Sequence, residues 1–201
     1  LGDDADGLAQ AALCELADVL AVDQDAPAAD VVKAVEQAGE GGFSGAAVAD
    51  HGEFFRVNVD ATRNLLEEAG ERDVSRFVHC STVGVQGEIE DPPASEDYRF
   101  NPGDHYQESK LAGEQLALEY FANGLKGSVV RPVGIYGPGD TRFLKLFKPV
   151  SKGYFVMVGP GNSLYHMTFI DDLVQGFLLA ASREEALGEV FTIAGERYTT
   201  L

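Results

Sequence analysis

The chain has 201 residues, 45% of them hydrophobic and 24% charged, which is enough apolar material for a folded core of one domain or slightly more. Thirty-three acidic against fifteen basic residues give a net charge of −18, a surface that repels nucleic-acid backbones and anionic membranes. No apolar run reaches the ~18 residues that a membrane span requires.

The charge is uneven. Residues 1–50 hold eleven acids and the single base Lys33, a net charge of −10, against −8 for the rest. Such a surplus suits a high-salt cytoplasm, or is simply an acidic surface. Cys14 and Cys80 form no CxxC motif, and His51, His79, His105 and His166 show no HxxxH or HExxH spacing, so neither a disulfide framework nor a metal site is expected. No secretory or twin-arginine leader is read at the start, and the composition predicts a soluble protein of the reducing cytoplasm.

In chain order, the Ala-rich stretch 8–18 reads as a helix and 19–22 as a short strand ending at Asp23. Residues 28–38 have helical spacing behind Pro27, and Gly39 to Gly45 is a glycine-rich break. Phe54, Val57, Ala61, Leu65 and Leu66 put a helix over 51–70, stopped by Gly70. Residues 76–80 form a buried strand and 84–104 a long loop, of the kind that is usually functional. Asp104 is the expected N-cap of a helix over 105–122. Then follow a strand at 128–132, a turn at 136–139, a helix over 141–151, short strands near 153–158 and 166–170, a helix over 172–182 and a strand at 190–193. Alternating strands and helices predict an α/β protein with a parallel sheet.

Tyr106 and Lys110 stand four apart, one helical turn from each other on one face. An ammonium that close favours the phenolate and makes a tyrosine a usable acid/base. As an isolated pair it is more commonly a solvated helix face. Ser81 and Thr82 follow the strand 76–80 and bring two hydroxyls to the carboxyl edge of the sheet, where open α/β folds bind ligands.

Together, FVHCSTVGVQG, DHYQESKLAGEQ, VVRPVGIYGPGD, the stretch from Phe55 through Asn58 and Thr62 to Leu66, Met167 to Leu173, and Val190 to Ile193 resemble the extended short-chain dehydrogenase/reductase family, the NAD-dependent epimerase/dehydratase group. The resemblance covers about 19–199 and is dense from 54 onward. It implies a Rossmann-like parallel sheet with helices on both faces, and NAD or NADP as cofactor. Tyr106 is then the acid/base, Lys110 lowers its pKa and holds the nicotinamide ribose, and Thr82 orients the substrate oxygen with Ser81 as the fallback. Pro132 and Val133 meet the carboxamide, Asp23 resembles the acid that bonds the adenine amino group, and Ala46 and Ala47 resemble the small residues where backbone approaches cofactor. The resemblance also implies a small-molecule substrate and a homodimer packed through 51–70 and 105–122.

The family opens on a strand, GxxGxxG and a helix N-terminus that takes the pyrophosphate. Gly39, Gly42 and Gly45 match that string, but twelve residues between Gly45 and Asn58 are too few for the βαβ unit of ~30 residues that must follow. The run therefore reads as a turn, and the domain as N-terminally truncated, without the acid that chooses between NAD and NADP. Residues 1–135 are expected to be the partial dinucleotide-binding domain and 136–201 part of a small substrate lobe, with 172–193 packing back on the core. Nucleotide-sugar members carry an arginine ahead of the Asp-Leu segment; Leu164 to Met167 has none, and YHMTFIDDLV looks more like 3β-hydroxysteroid dehydrogenases and dihydroflavonol reductases. Arg142 is a phosphate candidate or a surface arginine. Asp171 and Asp172 are expected to cap a helix, Glu88 to Asp91 to be a solvated loop, His105 to be exposed and Cys80 to be packed. An oxidoreductase acting on a secondary alcohol or ketone is the leading expectation. A sugar-nucleotide epimerase or dehydratase, a non-catalytic cofactor-binding relative and an inactive fragment are the alternatives.

Overall fold

The computed structural model describes 19–22 as backbone, then 51–141, 143–156, 161 and 163–200, with 145 and 146 as backbone only. Strand β1 (Val19–Val22) is followed by a helix in three parts: α1 (His51–Phe55), a π-helical turn (Arg56–Asp60) and α2 (Ala61–Glu71). Next come β2 (Arg76–Cys80), a 3-10 turn (Val83–Gln86), α3 (His105–Ala122), β3 (Gly127–Pro132) and β4 (Gly134–Tyr136). The chain continues through α4 (Leu144–Ser151), β5 (Leu164–Phe169), α5 (Ile170–Ser182), a 3-10 turn (Glu184–Ala186), β6 (Val190–Ile193) and β7 (Tyr198–Thr200).

The main sheet has the order β1-β2-β3-β6. Strands β2, β3 and β6 are parallel, with Cys80 level with Val130 and Pro132 level with Ile193. All of β2 and β3 is buried, as strands covered on both faces must be. The strand period of two divides their side chains. Phe77 and Val129 join Leu66, Ala69, Leu116, Ala117 and Phe121 under α2 and α3. Val78, Cys80 and Val130 join Leu173, Phe177 and Ala180 of α5, with Ile135. The result is a helix–sheet–helix sandwich with two apolar layers. Arg76 fastens the second layer, reaching the Ala181 carbonyl (3.2 Å) and the Glu184 carboxylate (2.7 Å).

Strand β1 departs from the expected parallel order, because it runs antiparallel to β2, Val19 opposite His79. A four-residue apolar run carries no direction of its own. A smaller sheet of order β4-β5-β7 pairs β4 with β5 in parallel and β5 with β7 antiparallel. The three-residue strands β4 and β7 lack enough alternation to be read from sequence.

The helix expected over 141–151 starts at Leu144, after a turn closed by its amide on the Thr141 carbonyl. Tyr154 to Val156 form no ladder among the described residues, although a strand was expected near 153–158. Asp171 and Asp172 do not cap α5: its N-cap is Phe169, without a side-chain bond, and the helix starts at Ile170. Both carboxylates lie in the first turn facing solvent, where they complement the positive end of the helix dipole instead.

Candidate active site

Because β2 and β3 are parallel and in register, Ser81 and Thr82 leave the sheet at the same edge as Pro132 and Val133. Ser81 is buried and its amide continues the ladder to the Val130 carbonyl at 2.7 Å. Its hydroxyl has no partner in the described structure. Thr82 is extended and half-buried; its hydroxyl accepts from the Gly84 amide at 3.2 Å and so starts the 3-10 turn. The Val133 amide donates to the Ile193 carbonyl at 3.3 Å.

Helix α3 carries Tyr106 and Lys110, and Lys110 reaches this edge. Asp104 caps it as expected, accepting from the Gln107 amide at 2.8 Å, while the Gln107 side chain accepts from the Gly103 amide at 2.7 Å. This reciprocal pairing is close to a capping box and fixes where the helix starts. Tyr106, half-buried, meets the Phe54 ring edge-on at 6.0 Å. Lys110 is 2% exposed, and its ammonium donates to the Cys80 carbonyl at 2.6 Å. The last residue of β2 and the first turns of α3 are thereby tied through the lysine itself.

The sequence reading gave no role to the residues that hold α3 in place. Asn58, in the π turn, donates to the Ser109 hydroxyl at 2.9 Å, and that hydroxyl donates to the Tyr106 carbonyl at 2.8 Å. Opposite Asn58 lies Gly113, where a Cβ would stand 2.3 Å from the Asn58 carbonyl oxygen. The helices touch backbone to backbone there. One helical turn beyond Lys110, the buried Glu114 receives both arms of the buried Arg131 guanidinium, at 3.0 and 2.6 Å. Arg131 also donates to the Glu96 carbonyl at 2.8 Å, and the Glu96 carboxylate accepts from the Thr192 amide at 2.7 Å. Partial burial pushes the Glu96 carboxyl up, but the Thr192 bonds and the Arg131 charge outweigh it and hold the group below its ordinary value. The long loop is pinned again by buried Gln86, which donates to the Ser95 carbonyl at 2.7 Å.

Beneath the site, His79 is 1% exposed and both ring nitrogens lack a partner among the described residues. Burial first, and the Lys110 charge second, lower its pKa to about 3. Cys80 is packed in the core and His105 is exposed, both as expected. Asp23, Ala46, Ala47, Arg142 and the glycine run 39–45 lie outside the described residues.

Residues 3–194 match the profile of the NAD dependent epimerase/dehydratase family. The chain belongs to that family. Among its relatives, 3 beta-hydroxysteroid dehydrogenase/Delta 5-->4-isomerase of Mycobacterium tuberculosis is 38% identical over 64% of this chain and 36% of its own length. Short-chain dehydrogenase/reductase family 42E member 1 of Macaca fascicularis is 33% identical over 86% of this chain and 46% of its own. In structure, UDP-glucuronic acid 4-epimerase of Bacillus cereus in complex with NAD is similar with a TM-score of 0.67, at 29% identity over 75% of this chain and 51% of that one. The family member thus has the Rossmann-like α/β fold expected of it, and spans about half or less of the length of these relatives.

Proposed function

We propose that the protein to which this chain belongs is an NAD(P)-dependent oxidoreductase that moves hydride between nicotinamide and a secondary alcohol or ketone. The observation that supports the reading is that Lys110, one helical turn beyond Tyr106, bonds the carbonyl of Cys80, the last residue of β2 and two positions before Thr82. The donor set suits a dinucleotide. Ser81 offers a buried hydroxyl without a partner, the type of group a ligand satisfies. Lys110, Tyr106, Ser81, Pro132 and Val133 are the residues that would hold the nicotinamide end. The chemistry a nicotinamide cofactor supplies when bound is the acceptance or delivery of hydride. Tyr106 exchanges the proton at its phenolic oxygen with the substrate oxygen, which Thr82 orients through its hydroxyl. The Lys110 ammonium, held by the Cys80 carbonyl, favours the phenolate. Epimerases and dehydratases begin with the same oxidation, so this step is shared across the alternatives.

A lipophilic alcohol of the hydroxysteroid kind is the better substrate class. The stretch Leu164 to Met167 lacks a phosphate-binding arginine, and relatives at 38% and 32% identity are named for sterol substrates. A nucleotide sugar is the second reading, favoured by neighbours such as MoeE5, solved with UDP-glucose and NAD and 30% identical to this chain. We also place the protein in the cytoplasm, as a homodimer, with a substrate lobe beginning near residue 136. No helix among the described residues is long and apolar enough to cross a membrane. The test is Tyr106→Phe in an active protein. Turnover is expected to fall by at least about a hundredfold, with cofactor binding retained, because general acid/base catalysis contributes that much or more. Unchanged turnover would remove Tyr106 as the acid/base.

A further inference from the structure

The helix ends beside the proposed active site bring together residues that the sequence keeps 54 positions apart. His51 opens α1, and His105 and Glu108 share the first turn of α3. The two imidazole rings meet edge-on with centroids 4.8 Å apart, and His105 Nδ1 lies 3.0 Å from a Glu108 carboxylate oxygen. One ligand atom from each of the three falls within 4.8 Å of the others. We propose that His51, His105 and Glu108 form a surface binding site for a divalent transition-metal ion, zinc(II) being the best match.

A tetrahedral ion with bonds of ~2.0–2.2 Å to nitrogen and oxygen needs donor atoms about 3.4 Å apart. The observed spacings bracket that value, and all three side chains are exposed, so small rotations reach it without disturbing the core. Two imidazoles and one carboxylate select a borderline ion such as zinc(II), nickel(II) or copper(II) over magnesium, which prefers an all-oxygen shell. The fourth position is left to water. The N-terminal end of α3 is the wrong end of a helix dipole for a cation. Asp104 and Glu108 supply local negative charge against it, and the net charge of −18 draws cations to the surface as a whole. An ion there staples the start of α1 to the start of α3, one residue from Tyr106. The site requires no particular reading of the catalytic chemistry.

The experiment is calorimetric titration of the 201-residue chain with zinc chloride, repeated in excess magnesium. One equivalent is expected to bind, unaffected by magnesium. His51→Ala and Glu108→Gln, both changes of exposed residues, are each expected to weaken it by at least about tenfold. Cys14→Ser and His166→Ala are expected to leave it unchanged. Circular dichroism establishes that each variant is folded. Absence of binding to the parent chain would overturn the proposal, as would affinity that survives both His51→Ala and Glu108→Gln or is lost with Cys14→Ser.

Discussion

His79 shows how a single residue can carry a pH dependence without touching substrate. Strand periodicity turns it toward α3, where it is enclosed in place of an aliphatic side chain, and its pKa of about 3 leaves it neutral in the fold. In the unfolded chain it titrates near 6.5. The folded value is the lower one, so between these two values the unfolded state binds more protons. Stability from this residue is complete above pH 6.5 and drains away as pH falls toward 3, by up to about 1.4 kcal/mol per pH unit. Urea unfolding of His79→Leu across this window is expected to give a shallower slope than the parent, by about that amount. Parallel slopes would mean that the ring is charged or exposed. Nothing in the sequence marked this residue, because FVHCS reads as a strand whichever face the histidine takes. Tyr106 and Lys110 were legible for the opposite reason: their spacing is local, and one helical turn brings them together whatever the tertiary fold.

At the scale of elements, helix α3 is placed by pairs that are far apart in sequence. The Asn58–Ser109 bond, the backbone approach at Gly113 and the buried Glu114–Arg131 pair each depend on how α3 crosses its neighbours. No spacing rule finds such pairs. The start of α3 was readable because Asp104 is a chemical signal, whereas α2 runs through the expected stop at Gly70 to Glu71, and the four residues of β1 carry no direction. Glu114 is the most consequential of these supports. With its carboxylate removed, the Arg131 charge stays buried and uncompensated, and the loop bond to the Glu96 carbonyl loses its anchor. Glu114→Ala is therefore expected to destabilise the fold by about 3–5 kcal/mol in chemical denaturation. A loss under about 1 kcal/mol would place the pair in the range of exposed ion pairs and remove it as the support of α3.

For the whole molecule, two apolar layers around a mostly parallel sheet explain why the strands and helices from residue 51 onward were readable as α/β. The alternation of buried runs with amphipathic ones is itself the record of that sandwich. The small sheet was less legible, because its strands are short and partly exposed. Its strands carry exposed apolar side chains, with Tyr198 66%, Leu164 49% and Tyr136 40% exposed. The α1–α2 and α3 face keeps Leu65, Leu111 and Leu118 half-buried. If that face is the dimer surface, analytical ultracentrifugation is expected to return twice the chain mass, and Leu118→Glu to return the monomer. A parent chain that sediments as a monomer at all concentrations would remove the homodimer from the account.

We propose that the edge carrying Ser81, Thr82, Tyr106, Lys110, Pro132 and Val133 receives a nicotinamide cofactor. Titration of the chain with NADH and with NADPH, followed by nicotinamide fluorescence, tests it directly, and the absence of tryptophan keeps the signal clean. The account predicts a saturable rise with at least one of them, weakened by about tenfold or more in Lys110→Met, a charge-assisted contact being worth about 1.5–3 kcal/mol. No rise with either cofactor, or a rise indifferent to Lys110→Met, would contradict it.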